Sequence, residues 1–245
     1  MFDTEDPLDS NAIKLKMIHS IRVANQILHL GKILGLDSEK LEIARIAGLF
    51  HDIGRFRQYA VYKTFKDSKS ENHALLGLTE IDRFDLFCGV PDEKAHKIRI
   101  AIENHNIIRL PNISDPDTRF LSLLLRDADK LDIWRVMIAH VKKASTGRHD
   151  PVTQNLPLSD YVSLKLLEYL DNGTPIPLSE VENLNDYKLF LLSWVFDLNF
   201  RPSIEAALRR KIIWQLSDTL PLSDHLKKSV LRLEKRLEEM IYAFK

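Results

Sequence analysis

The sequence predicts an all-α protein, and three observations carry that reading. Only eight glycines interrupt 245 residues. Apolar residues recur at three- and four-residue steps through most of the chain, the period of a helix face. Strand-type alternation is absent from those same stretches.

The elements follow in order. "AIKLKMIHSIRVANQILHLGKIL" is a first long helix. "DSEKLEIARIAGLFHDIG" is a second, opened by Asp37 as N-cap and stopped at Gly54, where a C-terminal glycine suits the chain exit. Ser68 and Glu71 have the spacing of a capping box ahead of "HALLGLTEIDRF". "EKAHKIRIAIENHN" puts Ile98, Ala101, Ile102 and His105 on one face. "TRFLSLLLRDADKLDIWRVMIAHVKK" is a long helix after the Pro-containing "LPNISDPD", and "KKASTGRHDPVTQNLPLSD" is the longest loop.

Further helices are expected from near Leu158, from a Ser179–Glu182 capping box, after Pro202 and after Ser223. The last carries Leu226, Val230, Leu233, Leu237, Met240 and Phe244 at four- and three-residue steps. Such a seam docks on its own domain or, as the second choice, pairs with another copy as a homodimer. The expected organisation is residues 1–150 as a metal-binding helical domain and 151–245 as C-terminal helices packing on it, in one continuous domain.

Composition excludes several classes. Lysine plus arginine balances aspartate plus glutamate, so no global field favours duplex nucleic acid or an anionic membrane. The longest apolar run, "LFLLSWVF", is far short of the roughly 20 residues that cross a bilayer. One cysteine, Cys88, excludes an internal disulfide framework and fits a reducing compartment. "MFDTEDPLDS" lacks the apolar core of a signal peptide, and the expected location is the cytoplasm.

The chemistry-bearing residues sit in apolar surroundings. His19 lies mid-helix, His51 and Asp52 follow Leu49 and Phe50, His73 opens a helix, and His105 is on an apolar face. Asp127, Asp129 and Asp132 crowd "RDADKLDIW". A buried carboxylate needs hydrogen bonds, a cation or a metal. Imidazole with carboxylate suits manganese, iron, zinc, cobalt or nickel. Each residue also has an ordinary reading: His51–Asp52 as a surface ion pair, and the aspartates paired with Arg126, Lys130 and Arg135.

In order along the chain, "HSIRVA", "HDIG" and "DADKLD" resemble the HD superfamily of metal-dependent phosphohydrolases, over roughly residues 13–145. The resemblance implies an HD-domain helical bundle with added C-terminal helices. It assigns a first metal to His19, His51, Asp52 and Asp129, with Asp127 and Asp132 in supporting roles. Binuclear branches add two histidines between the HD pair and the last aspartate. "NHALLG" and "IENHN" supply His73 and His105, with Asp52 bridging two divalent ions, manganese or iron first.

The chain is similar to HDIG-type bacterial hydrolases with "TFxDxxSxNHALLG" and "RDADKLDIW" segments. It lacks the Gly-Tyr-Pro signature of cyclic-dinucleotide phosphodiesterases after His105. Arg55 and Phe56 stand where stringent-response hydrolases carry an acidic pair, and "RFRQY" departs from the deoxynucleotide triphosphohydrolases.

The implied substrate is a nucleotide or other small phosphate ester, attacked by a metal-activated water with Asp52 and Lys130 at the reacting centre. Lys130, Arg55 and Arg22 are the implied phosphate contacts, with Lys63 and Lys66 as a basic rim. The same six donors also occur in di-iron oxygenases of the superfamily, and a nucleotide-sensing module is a third reading. His29, His96, His140, His149 and His225 fit no ligand position.

Overall fold

A computed structural model describes residues 7–143, 156–221 and 223–243. Their regular secondary structure is helical, with no strand among the described residues. Two compact units divide the chain, Met1–Asp132 and Ile133–Lys245. The boundary falls inside a helix.

In the first unit, α1 (Pro7–Ile33) starts earlier than its apolar repeat suggests. It buries Val23, Ala24, Ile27 and Leu30, one face at helical spacing. The side chain of Asp37 caps α2 (Ser38–Phe50) as expected, its Oδ1 accepting from Lys40 N at 2.8 Å. α2 lies along α1, buried through Ala44, Ala47 and Gly48. A Cβ on Gly48 would stand 3.0 Å from Ala24 Cα, so the bare glycine lets the two helices close up.

Gly54 does not stop α2. That helix ends at Phe50, a turn holds His51 and Asp52, and Gly54 opens α3 (Gly54–Tyr62). The glycine is needed for proximity rather than for a cap. A Cβ there would lie 2.1 Å from the carbonyl oxygen of His73 and 2.5 Å from Gly77 N.

The expected Ser68–Glu71 box does not form. Ser68 lies in a 3-10 turn, Asp67–Lys69, and Glu71 accepts from the Tyr62 hydroxyl. Asn72 caps α4 (His73–Arg83) instead, accepting from Ala74 N at 2.9 Å. Asparagine adjoining the helix is the stronger N-cap, and its carbonyl reaches the free amides first. α5 (Asp92–Glu103) buries Ile98, Ala101 and Ile102. α6 (Pro116–Lys143) is the expected long helix, begun by Asp115, whose Oδ2 accepts from Thr118 N at 3.0 Å, with Pro116 just inside.

The second unit takes the end of α6 and the remaining helices. Its core gathers Trp134, Leu166, Leu167, Leu189, Leu192, Val195 and Leu216. Trp134 Nε1 donates to Leu191 O at 2.9 Å. α7 (Leu164–Asp171) begins later than Leu158, because Ser159 O and Tyr161 O accept from Asn185 Nδ2 and hold that approach extended.

α8 (Leu184–Ser193) is capped by Asn183, while Ser179 sits in a 3-10 turn, so the Ser179–Glu182 box is also unformed. α9 (Arg201–Arg209) has Pro202 in its first turn, and a short α10 (Ile212–Ser217) was not anticipated. α11 (Asp224–Ala243) follows Ser223. Leu226, Leu233 and Leu237 of its seam are buried, and the helix packs on α7 and α9. Phe244 and most of the expected long loop, 144–155, lie outside the described residues. No helix among the described residues is long and apolar enough to cross a membrane.

Candidate metal centre

Five segments of the first unit deliver one cluster. α1 brings His19, the α2–α3 turn brings His51 and Asp52, and the first residue of α4 is His73. His105 follows the end of α5, and α6 brings Asp129. All but Asp129 are less than a tenth exposed.

The donors fall into two groups sharing Asp52. On one side, His19 Nε2 is 3.0 Å from Asp129 Oδ1, 3.3 Å from His51 Nε2 and 3.5 Å from Asp52 Oδ2. His51 Nε2 is 3.4 Å from Asp129 Oδ1 and 3.7 Å from Asp52 Oδ2. On the other, His73 Nε2 is 3.0 Å from His105 Nε2, and they lie 3.3 and 3.8 Å from Asp52 Oδ1.

These separations are those of ligands around an ion. Two donors each about 2.1 Å from one metal stand about 3.0 Å apart at a right angle and about 3.4 Å apart at a tetrahedral one. Two sets of these side chains meet the geometry of a metal-holding group, His19–His51–Asp129 and His51–Asp52–His105.

The imidazoles are oriented for the same task. His51 Nδ1 donates to Gly48 O at 2.8 Å and His105 Nδ1 to Ile102 O at 2.6 Å. A carbonyl only accepts, so in the neutral rings the proton is on Nδ1 and Nε2 carries a lone pair. His19 Nδ1 faces Asp132 Oδ2 at 2.8 Å, and His73 Nδ1 faces Asp67 Oδ2 at 2.7 Å, which sets the same tautomer. With all four rings neutral, four nitrogen lone pairs converge on carboxylate oxygens with no proton between them. Asp129 Oδ1, buried, accepts no hydrogen bond from such rings. A cation satisfies that set, and the residues fit divalent metal.

The charges and burial around the cluster agree with a site prepared for cations. Burial opposes charge on Asp52, but Lys16, His51 and Arg55 hold its pKa well below the usual carboxylate range. Asp129 is likewise held low, against burial, by His19 and His51. Burial pushes His105 down to about 3, and lowers His73 together with the charge of Arg55. His19 is the exception. Burial works against its charge, yet Asp129 and Asp132 prevail and raise it to about 9. Without metal, a proton on His19 is the cation this side of the site attracts.

The cations expected at the site are placed differently from one another. Arg55 Nε is 3.5 Å from Asp52 Oδ1 and makes no hydrogen bond, while its Nη1 is held by Asp67 Oδ1 and Gln58 Oε1, each at 2.8 Å. Lys130 is buried beside Asp129 in α6. Arg22 is half-buried on α1, with no contact to the cluster among the described residues, and Lys63 is exposed at the end of α3. Lys66 is half-buried ahead of the 3-10 turn.

Sequence reasoning missed two residues. Lys16 Nζ is 2.8 Å from Asp52 Oδ2, one helical turn before His19. Asp67 joins His73 to Arg55 and accepts from Gln58 Nε2 at 2.8 Å. The i, i+3 spacing of Lys16 and His19 was the available signal for the first. Asp67 stood in the quoted "TFxDxxSxNHALLG" segment without a role.

The chain matches no curated protein and no solved structure. Residues 17–134 match the family model of the HD domain. That segment opens just before His19 and closes just after Asp132, enclosing all six donors, and it identifies residues 17–134 of the chain as an HD domain.

Proposed function

We propose that this protein is a metal-dependent phosphohydrolase with a binuclear site. His19, His51, Asp129 and Asp52 would hold one divalent ion; His73, His105 and Asp52 would hold the other. Manganese or iron is the expected metal. The single observation that carries this reading is the division of Asp52, whose two oxygens face two different pairs of imidazoles.

When bound, such ions lower the pKa of a water and neutralise phosphate charge. The net reaction joins the water oxygen to phosphorus and breaks the bond to the ester oxygen, which leaves as an alcohol with a proton. The chain's own groups prepare that reaction. Asp132 and Asp67 fix two of the rings and raise the basicity of Nε2. The Arg55 Nε–H, buried without an acceptor, is a donor available to a phosphate oxygen. Lys130 supplies a further positive charge beside Asp129.

The test is elemental analysis of the purified protein, followed by a panel of phosphate esters with manganese, with and without air. Two metals per chain and turnover without oxygen support the reading. One metal held without His73 and His105 overturns the binuclear part. Two irons with oxygen-dependent turnover of a C–P or C–C bond assign the site to an oxygenase instead.

A further inference from the structure

Lys16 is a cation in direct contact with the cluster that the motifs did not place there. Lys16 stands on α1 one turn before His19, so ligand and ammonium share a helix face. Its Nζ lies 2.8 Å from Asp52 Oδ2, against a carboxylate side chain only 4% exposed, and 5.5 Å from the centre of the Phe65 ring. The lysine side chain itself is 16% exposed, so it spans from the cluster towards solvent. The ammonium makes one hydrogen bond among the described residues, to Asp52. It has three N–H donors, which leaves two for another acceptor.

That contact is on the His19–His51–Asp129 side of Asp52, where Oδ2 is itself one of the converging donors. An ammonium and a divalent cation on one carboxylate oxygen repel each other, so a bound anion would draw the lysine away from Oδ2. Arg55, on the opposite oxygen, already serves Asp67 and Gln58.

Resting on the phosphohydrolase reading above, we propose that Lys16 is a further substrate-phosphate contact of this site. In the loaded protein its ammonium turns from Asp52 Oδ2 to a non-bridging phosphate oxygen. The rival account is an ion pair that merely holds Asp52 in place.

The test uses the full chain loaded with manganese, and inorganic phosphate as the probe, titrated by calorimetry. Lys16→Met keeps the side-chain length without the charge; Lys16→Gln keeps a donor to Asp52 without the charge and serves if the methionine variant misfolds. Lys16→Arg restores charge.

The expected result is unchanged manganese stoichiometry in all three. Phosphate affinity should fall about tenfold to a hundredfold in the uncharged variants, the range of one charge-assisted hydrogen bond, and largely recover in Lys16→Arg. Lost manganese or a lowered Tm, with phosphate affinity intact, overturns the assignment in favour of the ion pair. Failure of the loaded wild-type protein to bind phosphate at all overturns the phosphohydrolase reading, and Lys16 with it. Normal wild-type binding with no effect of Lys16→Met overturns Lys16 alone.

Discussion

Gly54→Ala tests whether close packing between the His-Asp turn and α4 sets the metal geometry. A Cβ at position 54 would begin 2.1 Å from the carbonyl oxygen of His73, and contacts under 3.0 Å are essentially never seen for real Cβ atoms. The backbones must therefore part by about 0.9 Å, the difference of those two distances. Position 54 is two residues after Asp52, and the obstructing atom belongs to His73 itself. The displacement thus falls directly between two ligands now 3.3 Å apart.

Ligand geometry tolerates about 0.5 Å. The His73–His105 side should lose its ion, while the His19–His51–Asp129 side keeps its own. Overpacking of this kind costs about 1–3 kcal/mol in stability. The assays are metal content per chain by elemental analysis, and chemical unfolding. Two tightly held ions and wild-type stability in Gly54→Ala would show that the turn and α4 can separate without consequence, refuting the reasoning.

Asp52→Ala should remove both ions and all turnover together, while His29→Ala, an exposed histidine outside the cluster, should retain two; elemental analysis of the pair decides it. Asp132→Asn keeps an acceptor for His19 Nδ1 but loses its charge, and should weaken metal affinity about tenfold, measured by competition with a chelator. Lys188, buried and donating to Asn185 Oδ1 and Thr219 O, has its pKa lowered by burial to about 8. Its unfolded value is higher, so between the two the unfolded chain binds more protons, and stability from this group rises as pH climbs from about 8 towards 10.5. Urea unfolding across that window should show the rise in wild type and not in Lys188→Met.

The sequence by itself determined the helical class. Taken singly, each histidine and aspartate has an ordinary reading; the order of "HSIRVA", "HDIG" and "DADKLD" and the family resemblance it carries nominated His19, His51, Asp52, His73, His105 and Asp129, which the fold brings together. A local rule also worked where only local atoms compete, as at the Asp37 cap. Such rules failed where two residues compete for the same amides: Asn72 and Asn183 adjoin their helices and displace the serine boxes.

Tertiary structure alone decided the rest. The partner of His19 is 113 positions away in Asp132, and the partner of Asp52 is 36 positions away in Lys16. No periodicity relates such residues; helix crossings do, and those depend on close approaches such as Gly48 on Ala24. Gly54 shows the limit most directly. Its sequence position suits a helix end, yet its role is set by an α4 carbonyl some twenty residues later, an atom that exists near it only once the helices have packed.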